Sequence, residues 1–464
     1  MNGRKLRLLV AIASYGEKNI ELLKRIIAKY QAMPIEVDVV VLSNAPKSLG
    51  PRVEVVVGLP AKNPWSLPFG HKPIFAKRVN DYDLFVYSED DMEVTEQNIK
   101  AFLSATSELA NDEIAGYLRY EVDKSGVRSL PDAHGAYHWK AETAHKRGSH
   151  VVAEFTNEHA AFFLLTQAQL KRAIASGGFL REPCEGRYDM LCTAATDPYT
   201  NCGFRKVICA TALEDFLIHH MSNRYTGQYG LTLAEFRNQV TTLVEIANGA
   251  HPASTLFHLD PIVGSGAWAK SYYEKPIPVL LEKIPANART ILSVGSGSGE
   301  TEAELISRGL KVTALPLDSV IGPVSNRPGL ELIYGNFGQC QDKLNGRTFD
   351  CVIATNFLHL VPNPAQVLEG CAKFVAPGGT LLAMGPNFGH LKIRAKRLLG
   401  RNDYQKLGSL KLSGINACGP GELKQVLRNT GFGENSIQWL YSPTQQRKLG
   451  GLNARSWLLA ARRG

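Results

Sequence analysis

The chain has 464 residues, of which 44% are hydrophobic and 20% charged, values typical of globular proteins that bury sizeable cores. Its formal net charge of +9 is uneven, because residues 1–285 carry 31 basic against 32 acidic side chains and residues 286–464 carry 21 against 11. No apolar run reaches the roughly 18–20 residues that cross a bilayer, and the eight scattered cysteines contain no CxxC pair, which indicates reduced core thiols rather than disulfides or zinc ligands.

The first part of the chain alternates strand and helix patterns. Apolar runs at 6–14, 36–43 and 83–90 predict buried parallel strands, and the stretch between the first two has the apolar spacing of an amphipathic helix. The first run follows a basic start, but its short apolar core without a small-residue cleavage site favours a strand over a signal peptide.

Three acidic residues, Glu89, Asp90 and Asp91, follow the third of these strands. Carboxylates this close repel one another unless a cation neutralises them, and oxygen ligands suit Mg²⁺ or Mn²⁺ that bridges a diphosphate. With the opening strand and turn VAIASYGE, the segment YSEDDMEV resembles glycosyltransferases of the GT-A fold over about residues 1–250. In that family a D-x-D motif holds the metal of a nucleotide-sugar, and Glu89 and Asp91 match its ends, with Glu in place of the first Asp.

The GT-A resemblance also implies an acid that activates the acceptor and a late ligand to the metal. The acidic candidates for the base are Asp189, Glu214 and Asp215, and the candidates for the late ligand are His219 and His220. We expect Asp215 and Asp189 to be catalytic and His219 to join Glu89 and Asp91 at the metal. A polar, aromatic stretch at 120–155 predicts an insertion that binds the acceptor.

A Gly-, Pro- and Ser-rich passage at 248–270 separates the two parts of the chain. It predicts a first domain at 1–250, a linker with a leading helix at 251–285, and a second domain at 286–464. Five further strand-like runs with helices between them follow the boundary. The predicted fold class is α/β, with two tandem doubly wound domains.

The segment ILSVGSGSGETEAEL, at 291–305, joins a strand to a helix through a glycine turn. Glycines permit the tight turn and let a ligand lie against bare backbone beside the free N–H groups of the helix N-terminus. The turn is GxGxG rather than the dinucleotide GxGxxG. With FDCVIATNFLHL and PGG further along, it resembles class I S-adenosylmethionine (SAM)-dependent methyltransferases over about residues 270–464, and this implies a Rossmann-like second domain.

The methyltransferase resemblance implies SAM as the cofactor and assigns roles to individual residues. The expected cofactor-binding residues are Gly295, Ser296, Gly297, Gly299, Asp318, Asn336 and Asn356. Three positions depart from the family pattern: Ser293 and Pro316 stand where acids are usual, with Asp318 two residues later, and Asn336 stands where an Asp often contacts the adenine. His359 is the candidate base for a hydroxyl or amine acceptor, with a hydrogen-bonded structural histidine as the alternative.

Much of the basic surplus lies in the amphipathic segment 388–408, which contains six Lys and Arg residues and a single acidic residue, Asp403. It predicts an arm over the acceptor site that contacts an anionic acceptor, a lipid headgroup or a membrane surface, and a solvated helix face is the alternative. No aromatic–basic interleaving accompanies the segment, so no nucleic-acid partner is expected.

These features predict a bifunctional enzyme that transfers a sugar from a nucleotide-sugar to a glycan or lipid-linked acceptor and methylates the glycan, using Mn²⁺ or Mg²⁺ and SAM. Tethering two sites raises the local concentration of a shared intermediate. The resemblances imply bacterial surface-polysaccharide assembly, in the cytoplasm or at the inner face of the membrane. One alternative is a methyltransferase whose N-terminal domain is a non-catalytic glycan-binding module, and another is a scaffold of two decayed nucleotide folds.

Overall fold

The computed structural model describes residues 5–259, 268–322, 328–400, 402–442 and 449–464. The chain divides into two units, Met1–His251 and Pro252–Gly464. The described residues of the expected linker that follow His251 therefore belong to the second unit.

The first unit is built on a sheet whose long strands are almost wholly buried. Over the residues described, its strands are β1 (Arg7–Ser14), β2 (Glu36–Ser43), β3 (Val53–Val57), β4 (Leu84–Glu89), β5 (Met92–Glu93), β6 (Glu113–Ala115), β7 (Leu118–Val122), β8 (Arg128–Leu130), β9 (His145–Arg147), β10 (His150–Glu154), β11 (Phe162–Thr166), β12 (Arg205–Cys209), β13 (Leu217–His220) and β14 (Leu231–Thr232). The main sheet has the order β11-β4-β1-β2-β3, with β11 antiparallel to β4 and the other neighbours parallel. Two smaller sheets have the orders β6-β12-β10-β9 and β14-β8-β7-β13-β5.

Helices of this unit begin and pack where the sequence provides caps and apolar faces. They are α1 (Ile20–Gln31), α2 (His71–Lys77), α3 (Glu96–Thr106), α4 (Gln167–Ala175), α5 (Met190–Thr200) and α6 (Leu233–Ala247), with 3₁₀ turns at Pro64–Gly70, Ala141–Thr143 and Ala210–Phe216. Helix α1 buries Leu23, Ile26 and Ile27 at helical spacing. Helices α3, α4 and α6 each start with a threonine in a capping box, which satisfies backbone N–H groups of the first turn.

The carboxyl ends of the parallel strands bring the acidic triplet to one edge of the main sheet. The predicted apolar runs coincide with β1, β2 and β4, and Ala13 of β1 lies beside Glu89 of β4 in the register. Strand β13 pairs antiparallel with β5, with His220 opposite Met92, so this late strand returns to the same edge. In open α/β sheets ligands bind at the carboxyl ends of the strands, and this edge is therefore where a site is expected.

The second unit holds one seven-stranded sheet in its described part. The strands are β15 (Thr290–Ser296), β16 (Lys311–Pro316), β17 (Leu330–Leu332), β18 (Phe349–Thr355), β19 (Val375–Pro386), β20 (Phe432–Leu440) and β21 (Ser456–Arg463). Their order is β17-β16-β15-β18-β19-β21-β20, with β21 antiparallel to both of its neighbours and the others parallel. The strand order reverses between β15 and β18, which is the switch point where doubly wound sheets open a crevice.

Helices of the second unit alternate with these strands. They are α7 (Pro278–Leu281), α8 (Glu300–Ser307), α9 (Phe337–Lys343), α10 (Pro364–Ala372), α11 (Leu391–Leu398), α12 (Asn402–Gln405), α13 (Leu410–Ser413) and α14 (Pro420–Asn429), with 3₁₀ turns at Leu358–Leu360 and Gly450–Leu452. This βα alternation confirms the Rossmann-like prediction for the C-terminal part of the chain. Across both units, none of the helices described is long and apolar enough to cross a membrane.

Candidate functional site

In the first unit a cavity of about 660 Å³ opens at the carboxyl ends of β1 and β4. The acidic triplet Glu89, Asp90 and Asp91 lies in its wall, and Arg119 and His220 face the same space. A volume of this size is within the range of pockets that enclose small-molecule ligands and cofactors. The cavity therefore gathers opposite charges from strands that are far apart in the sequence.

Asp91 takes part in a chain of three buried groups. Its Oδ2 lies 3.1 Å from Nε2 of His220, whose Nδ1 lies 2.6 Å from Oε1 of Glu121. Burial acts to lower the pKa of His220, but the hydrogen bond and charge of Asp91 raise it above its ordinary value. Burial acts to raise the pKa of Asp91, and the hydrogen bond from His220 brings it below its ordinary value. The imidazolium and the carboxylate therefore stabilise each other's charged forms.

The other two acids have different surroundings. Oε1 of Glu89 is buried and has no hydrogen-bond partner among the residues that the structure describes. Burial and then the charge of Asp91 raise the pKa of Glu89 to about 8. Asp90 accepts a 2.8 Å hydrogen bond from Nδ2 of Asn19, while burial raises its pKa. The pKa of Asp91 is therefore shifted in the opposite direction from those of Glu89 and Asp90, and the three carboxyl groups have different partners.

The structure does not bring His219 to the acidic triplet, which corrects the grouping expected from the sequence. The His219 ring stacks on Tyr120, with centroids 4.9 Å apart, and its Nδ1 lies 3.8 Å from Oε2 of Glu93. Successive side chains of a strand point to opposite faces, so His219 lines a separate cavity of about 150 Å³ while His220 faces Asp91. In the described part of the chain, no group of three or more His, Cys, Asp or Glu side chains has a geometry that could hold a metal.

The acidic candidates for the base are also separated. Asp215 and Glu214 line the cavity of His219, where Glu214 pairs with Arg128 and Arg237. Of the three candidates it is Asp189 that lines the larger cavity, where its side chain caps α5 by accepting a 2.9 Å hydrogen bond from the N–H of Cys192. Asp215 is therefore removed from the triplet, contrary to expectation.

A second buried ion pair lies in the wall of the larger cavity, where no sequence motif indicated one. Nε and Nη2 of Arg119 donate to the carboxylate of Asp132 at 3.0 and 2.5 Å. Burial acts to raise the pKa of Asp132, but the charge and hydrogen bonds of Arg119 bring it below its ordinary value. The two residues lie 13 positions apart, with Asp132 inside the stretch 120–155 that was predicted to bind the acceptor and Arg119 just before it. No local motif marks such a pair, because Arg119 lies in β7 and Asp132 follows β8.

In the second unit the glycine turn has the backbone geometry that its glycines predict. Gly295 and Gly299 have φ of 75° and 84°, and Gly299 is the N-terminal cap of α8. The N–H of Ser298 donates a 2.7 Å hydrogen bond to the carbonyl of Tyr272, and a Cβ on Gly297 would lie 2.1 Å from that oxygen. The backbone of the glycine turn, which the sequence predicts to contact a ligand, is therefore contacted here by Tyr272 of the same chain.

The remaining cofactor candidates lie at the carboxyl ends of neighbouring strands. Asp318, which follows β16, is buried and accepts 2.7 Å hydrogen bonds from the N–H groups of Val320 and Ile321. Asn336 caps α9 by accepting from the N–H of Gln339 at 3.0 Å, and Ser296 ends β15. Asn356, just after β18, has φ of 59°. The strand order brings these positions to one edge of the sheet, and their roles in cofactor binding stay predictions.

The segments before β15 contribute side chains that no motif indicated. Glu274 hydrogen-bonds to Asn356 and pairs with the buried Lys270. The ring of Phe257 packs against both Phe337 and Phe357, with centroids 5.1 and 5.0 Å apart, so it lies between the element after β17 and the one after β18. These contacts cover the carboxyl edge of the sheet from residues that precede the first strand.

A carboxyl group also stands beside Ser293, where the family pattern has an acid. Oγ of Ser293 donates a 2.5 Å hydrogen bond to Oε1 of Glu302 in α8. Glu302 is buried, and that burial raises its pKa. Helix α8 therefore places a carboxyl group beside Ser293, a contact that only the fold reveals.

His359, in the turn after β18, is buried in contact with the segment that precedes the sheet. Its Nε2 lies 2.6 Å from the carbonyl of Trp268, and its ring centroid lies 5.8 Å from that of Phe388. Burial lowers the pKa of His359 to about 4. The neutral ring thus donates from Nε2, which leaves the lone pair on Nδ1 as an acceptor.

The lowered pKa of His359 predicts an acid-labile second unit. The imidazole of His359 binds a proton near pH 6.5 in the unfolded chain but only near pH 4 in the folded chain. The contribution of the neutral His359 to the free energy of unfolding is therefore complete above pH 6.5 and is lost as the pH falls from 6.5 to 4. We expect His359→Gln to reduce the slope of the unfolding free energy against pH in this window by up to about 1.4 kcal/mol per pH unit. Chemical denaturation at pH 7.5, 6, 5 and 4 measures the slope. The exposed His258→Gln is the control, and equal slopes for both variants would contradict the assignment.

The region around the switch point matches known proteins. Residues 266–433 match a family model described as a methyltransferase domain. The C-terminal unit contains a class I SAM-dependent methyltransferase domain. This domain is similar in sequence to the ubiquinone biosynthesis O-methyltransferases of Xylella fastidiosa (27% identity, 39% of this chain and 80% of the relative) and Xanthomonas axonopodis (27% identity, 43% and 92%).

Solved structures that match the chain include two SAM-dependent methyltransferases. One from Methanosarcina mazei is 21% identical, with a TM-score of 0.30, and the match covers 41% of this chain and 99% of that one. One from Mesorhizobium loti is 19% identical, with a TM-score of 0.31, covering 40% and 96%. In this chain the glycine turn lies at the end of β15, beside the switch point of the second unit's sheet.

Proposed function

We propose that the chain is a bifunctional transferase. Its first unit transfers a sugar from a nucleotide-sugar to a glycan or lipid-linked acceptor, and its methyltransferase domain methylates that glycan with SAM. The observation that carries the glycosyl-transfer half is the buried Asp91–His220 pair inside a large cavity at the carboxyl edge of a parallel sheet. The O-methyltransferase names of the relatives support a hydroxyl oxygen as the methyl acceptor.

The chemistry of Asp91 and His220 fits a divalent cation. Ligands about 2.1 Å from an octahedral ion and at right angles to each other are about 3 Å apart, and Oδ2 of Asp91 lies 3.1 Å from Nε2 of His220. Glu121 accepts from Nδ1 of His220, the arrangement that orients a ligating histidine. The Nε2 proton of His220, which here faces Asp91, would be released when a cation binds. Mg²⁺ commonly binds to one or two protein groups and completes its shell with phosphates and water. Bound here, the cation would neutralise the charge that develops on a leaving diphosphate.

Other residues of the cavity have complementary tasks in this proposal. Asp189 lies in the cavity wall with its carboxylate already fixed as a helix cap, and it would accept the proton of the attacking hydroxyl. Arg224 lines the same space and supplies positive charge for phosphate oxygens. Asp90, held by Asn19, would accept a hydrogen bond from a sugar or ribose hydroxyl.

In the methyltransferase domain the chain aligns the reactants and accepts a proton. Bound SAM supplies an electrophilic methyl group on a sulfonium centre. As the acceptor oxygen attacks, Nδ1 of His359 would take its proton, while the hydrogen bond from Nε2 to Trp268 holds the ring in the required tautomer. A cofactor at the glycine turn would replace the Tyr272 carbonyl as the partner of the Ser298 N–H.

Exposed aromatic rings favour a second candidate for the first unit. Tyr15, Trp65 and Tyr229 line the large cavity and are exposed. Aromatic faces of this kind stack on sugar rings, so the unit would also serve as a glycan-binding module without chemistry. The two candidates differ in whether a nucleotide is bound and cleaved.

Release of nucleoside diphosphate from a panel of nucleotide-sugars, with and without Mn²⁺, distinguishes these candidates. We expect at least one donor to be hydrolysed slowly in a Mn²⁺-dependent reaction that EDTA stops, and to be consumed faster when an oligosaccharide acceptor is present. Glycan binding without any nucleotide binding would contradict glycosyl transfer and support the module. Formation of S-adenosylhomocysteine in parallel reactions reports separately on the methyltransferase domain.

A further inference from the structure

Leucine side chains are unusually exposed around α11, just after the fifth parallel strand of the methyltransferase domain. Leu398 is 89% exposed, Leu399 77%, Leu412 55% and Leu391 46%. Helix α11 buries none of its residues. Single exposed leucines are ordinary on protein surfaces, but four within 22 positions of the sequence are a concentration that favours contact with an apolar phase or partner.

Basic residues alternate with these leucines along the sequence. Lys392, Arg394, Lys406 and Lys411 are exposed in the same stretch, and Asp403 is its only acidic residue by sequence. Arg401, which the sequence analysis counted with this group, lies outside the described residues. We call the four leucines with these four cations the leucine–lysine surface. This surface is both apolar and basic, and it is therefore complementary to a negatively charged interface that has an apolar interior.

Helix α11, which carries part of the leucine–lysine surface, is connected to the candidate base of the methyltransferase domain through Lys396. Nζ of Lys396 donates a 2.7 Å hydrogen bond to the hydroxyl of Tyr404 and lies 4.4 Å from the centre of its ring. The Tyr404 ring packs edge-on against Trp268 at 5.5 Å, and the carbonyl of Trp268 accepts from His359. A ligand delivered from this surface would therefore arrive beside the candidate base.

We propose that the leucine–lysine surface docks the methyltransferase domain onto an anionic lipid surface. The leucines enter the boundary between headgroups and acyl chains, and the cations bind to lipid phosphates. A solvated helix face would expose the cations without four leucines, and a nucleic-acid surface would need aromatic or hydrogen-bonding groups rather than aliphatic ones. This inference goes beyond the proposed function and does not depend on sugar transfer.

Sedimentation of the full chain with lipid vesicles tests the proposal. We expect binding to vesicles of phosphatidylglycerol and phosphatidylcholine, weakened by high salt, and little binding to phosphatidylcholine alone. The Leu398→Asp, Leu399→Asp double variant should lose at least ~10-fold in vesicle affinity, and the Lys392→Glu, Lys411→Glu variant at least ~10-fold, since each basic residue near an anionic surface contributes roughly fivefold.

Matched controls separate docking from general effects. Lys283→Glu with Lys311→Glu makes the same charge change at exposed positions elsewhere in the second unit, and Leu180→Asp changes an exposed leucine of the first unit. Both controls should retain vesicle binding. Equal losses in the charge control, unchanged binding in the leucine variant, or salt-sensitive binding to RNA in place of vesicles would each overturn the proposal. Unaltered melting temperatures and S-adenosylhomocysteine binding show that the variants are folded.

Discussion

Asp91→Asn should abolish the Mn²⁺-dependent turnover of nucleotide-sugar. The variant removes the charge that faces Nε2 of His220, so it removes the proposed metal ligand and also the interaction that raises the pKa of His220. Loss of an outer-shell partner already costs roughly 10–100-fold in metal affinity or activity, and we expect at least ~100-fold in kcat/KM for loss of a direct ligand. The loss in kcat/KM is measured from the rate of nucleoside diphosphate release at a series of Mn²⁺ concentrations.

Two neighbouring histidines provide an internal control for this result. His220→Asn should resemble Asp91→Asn, whereas His219→Asn should leave Mn²⁺ dependence unchanged, because His219 faces the other cavity. The exposed Asp81→Asn controls for loss of one carboxylate. If His219→Asn abolished Mn²⁺ dependence and His220→Asn did not, the assignment of His220 rather than His219 to the proposed metal site would be contradicted.

Gly297→Ala should remove cofactor binding from the methyltransferase domain. An added methyl group would lie 2.1 Å from the Tyr272 carbonyl, so either the glycine turn or the covering segment must move. Overpacking of this kind destabilises by about 1–3 kcal/mol, and we expect at least ~10-fold weaker binding of S-adenosylhomocysteine. Calorimetric titration measures the affinity, and thermal unfolding measures the stability.

Gly433→Ala is the matched control for this substitution. Gly433 lies in β20, where an added methyl group would meet no atom within 4 Å. The control should bind S-adenosylhomocysteine as the unaltered chain does. Unimpaired binding by Gly297→Ala would place the cofactor away from the glycine turn.

Long elements and the glycine turn were predictable because their signals are local. Buried parallel strands are continuous apolar runs, and the strand-to-helix turn needs glycines at particular φ angles, so β1, β4 and the 291–305 segment were placed from composition and spacing. Asp318, Asn336 and Asn356 were assigned from the methyltransferase resemblance, and the strand order of the sheet places all three at one edge.

The errors arose where tertiary contacts decide which way a side chain faces. His219 and His220 are adjacent in sequence, and the pairing of β13 with β5 and β7 sends them to different cavities. Glu302 stands beside Ser293 because α8 packs on its own strand, and Phe257 reaches Phe337 and Phe357 from a segment that no motif marks. Such contacts have no fixed spacing along the chain, so a sequence pattern could not find them.

The central claim is that one chain carries two independent sites, one for a nucleotide with a metal and one for SAM. Calorimetric titration of S-adenosylhomocysteine, and of nucleoside diphosphate with Mn²⁺, into the unaltered chain, Asp91→Asn and Gly297→Ala tests it most directly. We predict one site for each ligand in the unaltered chain, loss of the nucleotide site alone in Asp91→Asn, and loss of the S-adenosylhomocysteine site alone in Gly297→Ala. No heat with nucleoside diphosphate, or loss of both sites in either folded variant, would contradict the account.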